Sequence, residues 1–219
     1  MDLDVWIEKC PLIAILRGVE PREAESIGEA LFSAGFSMVE VPLNSPAPFE
    51  SIAILSRAFG SRMLVGAGTV THWSQVAGVA SAGGRLIVSP HADREIVRAA
   101  WETGLASIPG FFNPTEAFSL LEAGADAIKL FPAEVLGVGM LKALRVVLPS
   151  TARVVPVGGV DVGNLGTWMA AGAAGLGIGS ALYKPGDTAA QVKAKALEFV
   201  AAVRGFQAGQ ELAEQGIHP

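Results

Sequence analysis

Eight short apolar runs that alternate with eight helical patterns along 219 residues predict an α/β chain closed into a single (β/α)8 TIM barrel. Two further observations support that class. The apolar runs are continuous rather than alternating, as expected of parallel strands covered on both faces. Ala-Gly pairs close several of the helical patterns just before the next run.

The runs lie at 12–16, 38–43, 63–67, 86–89, 106–109, 127–131, 154–157 and 175–178. The helical patterns occupy 21–34, 48–59, 73–82, 94–102, 114–123, 140–147, 162–171 and 188–204. Pairs at Ala34-Gly35, Ala82-Gly83, Ala123-Gly124 and Ala171-Gly172 stand where a helix C-terminus needs a residue tolerant of the left-handed conformation. Pro21 and Pro114 stand near helix starts, and Asp93 and Asp161 are candidate N-caps. Eight regular units without a long interruption favour closure over an open doubly wound sheet. The barrel is expected to occupy 1–205, and 206–219 reads as a polar tail outside it.

Composition narrows the partners. With 51% hydrophobic and 17% charged residues, the chain can bury one substantial core. A net charge of -5, with no cluster of Lys and Arg, argues against binding a nucleic-acid backbone and toward a small metabolite. Cys10 is the only cysteine, which rules out an intramolecular disulfide or a cysteine metal cluster and suits a reducing cytoplasm. The start Met1-Asp2-Leu3-Asp4-Val5 lacks the basic region and apolar stretch of a secretory signal. No apolar run is long enough to predict a membrane span.

Barrel active sites sit at the C-terminal ends of the strands, so polar residues there are the candidates. Lys129 lies inside an apolar run, where desolvation disfavours the ammonium and yields the free amine that attacks a ketone. A structural lysine paired to a strand-end carboxylate is the alternative. Glu40, flanked by Val39 and Val41, is the matching anomaly on the second run: it can shuttle protons, and it can also simply neutralise Lys129. Gly158-Gly159 and Gly179-Ser180 follow the seventh and eighth runs, where barrels build phosphate sites from backbone amides; tight-turn glycines are the plainer account. Arg17 after the first run can clamp a carboxylate, with Thr69 adding a hydroxyl nearby, although a loop arginine is more often a surface residue. Asn44, Ser89 and Pro90 complete the strand-end set. His72, His91 and His218 show no metal-ligand spacing, so no metal is expected.

These residues carry a likeness. The segments at 11–18, 39–46, 66–69, 108–110, 128–134, 157–160 and 177–180 resemble the 2-keto-3-deoxy-6-phosphosugar-acid aldolases, Lys-Leu-Phe-Pro-Ala-Glu and Gly-Ala-Gly-Thr being the most specific. The resemblance implies a homotrimeric class I aldolase without metal or organic cofactor, acting on a phosphorylated keto acid and releasing pyruvate and D-glyceraldehyde 3-phosphate. It also implies that Lys129 forms the imine and that Glu40 is the general acid/base. Thr69 then lies near the pyruvate carboxylate, Pro90 and Phe131 wall the pyruvyl pocket, and Gly158, Gly159 and Ser180 belong to the phosphate loops.

Two departures bear on the substrate. The gluconate-derived branch usually has arginine in a Leu-Arg-Thr context after the second strand, where this chain reads Leu43-Asn44-Ser45-Pro46. Arg17 must then supply the carboxylate contact, a pattern that resembles the galactonate-derived branch. Val157 replaces a frequent threonine, so one hydroxyl toward the phosphate end is missing. The gluconate-derived aldolase or a dual-specificity enzyme is the alternative. Behind it stand a phosphosugar isomerase or synthase using Glu40 as base, and a non-catalytic sugar-phosphate binder.

Overall fold

The computed structural model describes residues 3–214; the chain start at Met1-Asp2, His218 and the final residues of the predicted tail lie outside the described residues. The element order is α1 (Asp4–Lys9), β1 (Leu12–Ile15), α2 (Pro21–Ala34), β2 (Met38–Pro42), α3 (Pro48–Phe59), β3 (Leu64–Gly68), α4 (Gln75–Ser81), β4 (Leu86–Val88) and α5 (Arg94–Thr103). There follow β5 (Ala106–Ile108), β6 (Gly110–Phe111), α6 (Pro114–Glu122), β7 (Ile128–Leu130), α7 (Ala133–Val147), β8 (Val154–Pro156), α8 (Leu165–Ala170), β9 (Leu176–Ile178) and α9 (Ala189–Glu214).

The fold is α/β with all strand pairs parallel. One sheet runs β5-β4-β3-β2-β1-β9 and a second β6-β7-β8. All eight predicted apolar runs form strands; the ninth arises because the fifth run divides at Pro109, whose ring nitrogen has no hydrogen to donate to a ladder. The Pro109 carbonyl still accepts from Lys129 N at 2.8 Å, and an isolated bridge pairs Val157 with Gly177 between β8 and β9.

The sheets separate two apolar layers. Leu12, Ala14, Val39, Val41, Ile128 and Leu130 pack outward against the helices. Ile13, Ile15, Met38, Leu64, Leu86, Ala127, Val155 and Val157 form the opposite layer, joined by Leu3 and Trp6 of α1. That helix is too short and too polar in sequence to be recognised from periodicity. It is tied to the N-terminal ends of the strands: Ser37 Oγ donates to Trp6 O at 2.8 Å, and Asp4 pairs with Arg153. One end of the inner layer is thereby covered, leaving the C-terminal strand ends for chemistry.

Local signals explain most boundaries. Gly35, Gly83, Gly124 and Gly172 all have φ between 84° and 108° after their helices. Asp93 caps α5, accepting from Glu95 N and Ile96 N. Asp161 behaves differently: it accepts from Asn164 N at 2.9 Å in a turn ahead of α8 rather than capping that helix. Helix α7 begins at Ala133, seven residues before the predicted 140, with Gly137 (φ 72°) interrupting it. Glycines at 137 and 139 weaken the helical pattern ahead of Met140 in the sequence. Helix α9 continues through the predicted tail to Glu214. Gln207, Ala208, Gln210, Glu211 and Leu212 favour helix enough to carry it past Gly205 and Gly209, each of which costs about 1 kcal/mol. Phe206 packs near Gly166 of α8.

Candidate active site

Lys129 and Glu40 lie on the inner face of the sheets, 5% and 2% exposed. Both positions follow from strand periodicity: Lys129 is two residues past Ala127 and Glu40 two past Met38, on the side that those residues turn inward. Register places Glu40 beside Ile15 and Gly66, and Lys129 between Gly110 and Val155. Room for the carboxylate is made by Gly68, because a Cβ there would stand 1.2 Å from Glu40 Oε2.

Burial dominates the electrostatics of both groups. It lowers the pKa of Lys129 from the ordinary 10.5, with Arg17 pushing the same way and Glu40 opposing. It raises the Glu40 carboxyl above 4.5 against the pull of Lys129 and Arg17. Among the described residues no ion pair joins the two, and Glu40 Oε2 is a buried oxygen with no hydrogen-bond partner. An unpaired buried acceptor is costly, so this carboxylate is poorly explained as a structural neutraliser. Lys129 Nζ stands 4.6 Å from the Phe131 ring centroid, so the half-buried Phe131 walls one side of it.

Arg17, Asn44 and Thr69, at the ends of β1, β2 and β3, form one cluster. Arg17 Nη1 donates to Asn44 Oδ1 at 2.7 Å and Nη2 to Thr69 Oγ1 at 3.4 Å. Thr69 holds φ 54°, a strained conformation for a β-branched residue. The turn after β1 is fixed by Gly18 N, which donates to the buried Ser45 Oγ at 2.9 Å. Pro90 lies after β4 against the backbone of Gly110.

Beyond Arg17 opens a cleft of 660 Å³ floored by Ile15, Val157 and Gly177 and walled by Gly158, Gly159, Gly179 and Ser180. Lys129 and Glu40 do not line it; they lie beneath the adjoining strand ends, with Ile15 the register partner of Glu40. Gly158 (φ 112°) and Gly159 (φ 65°) occupy left-handed conformations, and a Cβ on Gly158 would meet Glu134 Oε2 at 1.8 Å. The pair is therefore glycine partly to accommodate Glu134. Asn164 Nδ2 holds the Gly159 carbonyl at 2.8 Å. Among the described residues the amides of Gly158, Gly159, Ser180 and Ala181 donate to no protein acceptor, which leaves them free for an anion.

Sequence reasoning missed three charged residues of this cleft: Glu134, Lys184 and Asp161, the last read only as a helix cap. Lys184 is set by its own amide, which donates to Asp187 Oδ2 at 2.9 Å, and by the packing of Pro185 beside Gly18. A lysine four residues past Ser180 carries little signal in sequence; Glu134 closed a recognised motif but had no role attached.

The arrangement joins a buried amine, a buried carboxylate whose Oε2 has no hydrogen-bond partner, an arginine cluster and a cleft lined by free amides. Residues 3–198 match the family model described as "Aldolase: KDPG and KHG aldolase". The chain belongs to the KDPG and KHG aldolase family. Within this aldolase family, it is 46% identical to the 2-dehydro-3-deoxy-6-phosphogalactonate aldolase of Escherichia coli (strain K12), over 91% of this chain and 97% of that one. A solved native KDPGal structure superposes with a TM-score of 0.90 at 46% identity, covering 91% of this chain and 97% of that chain. The KDPG aldolase of Legionella pneumophila, solved with pyruvate captured as a covalent carbinolamine intermediate, matches at TM-score 0.80 and 27% identity, covering 94% of this chain and 98% of that one.

Proposed function

We propose that this aldolase cleaves 2-dehydro-3-deoxy-6-phosphogalactonate to pyruvate and D-glyceraldehyde 3-phosphate, on a closed eight-position barrel in which β5 and β6 share one position. The observation that carries the reading is Lys129, buried in surroundings that favour its neutral amine, with the unpartnered carboxylate of Glu40 on the same inner face. The Val157–Gly177 bridge and the enclosed inner apolar layer support closure.

The neutral Lys129 amine attacks C2 of the keto acid. Glu40 relays protons as the carbinolamine loses water to give the iminium, which is the electron sink. Glu40, directly or through a water, takes the C4 hydroxyl proton; the C3–C4 bond breaks and its electrons pass into the iminium, giving the enamine. Protonation at C3 and hydrolysis release pyruvate and regenerate the amine. Arg17, steadied by Asn44 and joined by Thr69, holds the carboxylate. The free amides of Gly158, Gly159 and Ser180, beside Gly179, hold the phosphate. Pro90 and Phe131 wall the pyruvyl end. Anchoring both ends fixes the scissile bond against Glu40.

The galactonate-derived substrate is favoured because Arg17 bonds Asn44, at the place where the gluconate-derived branch carries its own arginine. Borohydride with pyruvate should leave an adduct on Lys129, and the C4 epimers should be cleaved at unequal rates with the galacto epimer faster. Active protein without that adduct would sink the mechanism; equal rates would make the enzyme dual-specific. A homotrimer located in the cytoplasm belongs to the same proposal, and sedimentation equilibrium tests the assembly.

A further inference from the structure

We propose that Glu134 accepts the hydrogen of the hydroxyl next to the substrate's phosphate, and so makes the enzyme selective for hydroxylated over deoxy aldehyde partners. This deepens the aldolase reading and rests on it.

The cleft is lined mainly by donors: the free amides of the glycine loops, Ser180, and the cations Arg17 and Lys184 at its edges. Two carboxylates line it as well, Asp161 and Glu134. Asp161 is engaged, its Oδ1 accepting from Asn164 N at 2.9 Å. Glu134 has no hydrogen bond or ion pair among the described residues, yet its Oε2 lies hard against Gly158. Favourable placement in the first turn of α7 accounts for a carboxylate at this sequence position. It does not account for one turned onto the Gly158-Gly159 backbone without a donor.

A carboxylate at contact distance would repel a phosphate. That repulsion biases the phosphate, among the free amides of the two glycine loops, toward the Ser180, Ala181 and Lys184 side, and Glu134 faces the carbon chain leading to it. Two hydroxyls lie between the imine carbon and the phosphate ester. Glu40 takes the proton of the one at C4, so the hydroxyl at C5 needs an acceptor, and Glu134 is the free one in the cleft.

The test uses the synthetic direction, with pyruvate as donor and either D-glyceraldehyde 3-phosphate or its 2-deoxy analogue, 3-phosphooxypropanal, as acceptor. Glu134→Ala should lower kcat/KM for the hydroxylated aldehyde roughly 10- to 100-fold, the scale of a lost hydrogen bond to a charged group, and change the deoxy aldehyde less than twofold. Glu134→Gln, which keeps a neutral acceptor, should fall between and guards against a misfolded alanine variant. Equal losses on both acceptors, or no loss on either, would overturn the assignment. Borohydride trapping of pyruvate in each variant keeps the two questions apart: failure of the wild-type protein to form the adduct refutes the aldolase mechanism, whereas an intact adduct with unchanged selectivity refutes only Glu134.

Discussion

Replacing Gly68 by alanine should disable the enzyme through Glu40 alone. The new methyl carbon would lie 1.2 Å from Glu40 Oε2, 2.2 Å from Cδ and 2.8 Å from Oε1. Since a carbon rarely approaches oxygen closer than about 3.3 Å, the carboxylate must retreat by roughly 2 Å. Backbone strain is not the cause, because Gly68 does not have a positive φ. Displacement of this size should lower kcat/KM about 10²- to 10⁴-fold, the range for a misplaced group or a lost general acid/base. Overpacking should also cost about 1–3 kcal/mol of stability. Pyruvate release coupled to NADH oxidation measures the first effect and calorimetry the second. Combining Gly68→Ala with Glu40→Ala should recover stability without activity, because the methyl then fills space the carboxylate has left. A Gly68→Ala enzyme within threefold of wild-type kcat/KM would refute the reasoning, since it would mean the carboxylate at its observed position is not needed.

Glu40→Gln should raise thermal stability by an amount that grows with pH. The folded carboxyl titrates above 4.5, so between 4.5 and that higher value the folded state holds more protons than the unfolded state, and wild-type stability falls as pH rises. Glutamine does not titrate; the Tm difference should be small near pH 4.5 and grow as pH rises above it, and a difference that shrinks with pH would contradict this. Lys184→Met should raise KM for the phosphorylated substrate about tenfold and leave borohydride trapping of pyruvate unchanged, as expected of a cation at the phosphate end. Equal weakening of pyruvate capture would place Lys184 elsewhere in the mechanism.

Much of the site was legible because burial makes ionisable residues conspicuous. Lys129 between Ile128 and Leu130, and Glu40 between Val39 and Val41, stand out in apolar runs whose period assigns them to the inner face. Arg17, Asn44 and Thr69 were each legible as strand-end residues, but their hydrogen bonds span 27 and 52 residues of chain, and only folding brings them together. Helix α1 was not legible, since six residues hold too few turns to show a period. The helical continuation to Glu214 was obscured by Gly205 and Gly209, whose local cost is outweighed by neighbours that favour helix.

Sequence by itself determined the alternation of strands and helices, the Gly-closed helix ends and the placing of a lysine and a glutamate inside apolar strands. These depend on periodicity and on the chemistry of single residues, both of which are local. Tertiary structure decided that Glu40 has no hydrogen-bond partner, that Gly68 opens the space for it, that α1 covers the far end of the inner layer, and that Glu134 turns onto the Gly158-Gly159 loop. Each of these depends on distances between strands remote in sequence, set by the packing of the whole parallel sheet rather than by any one segment.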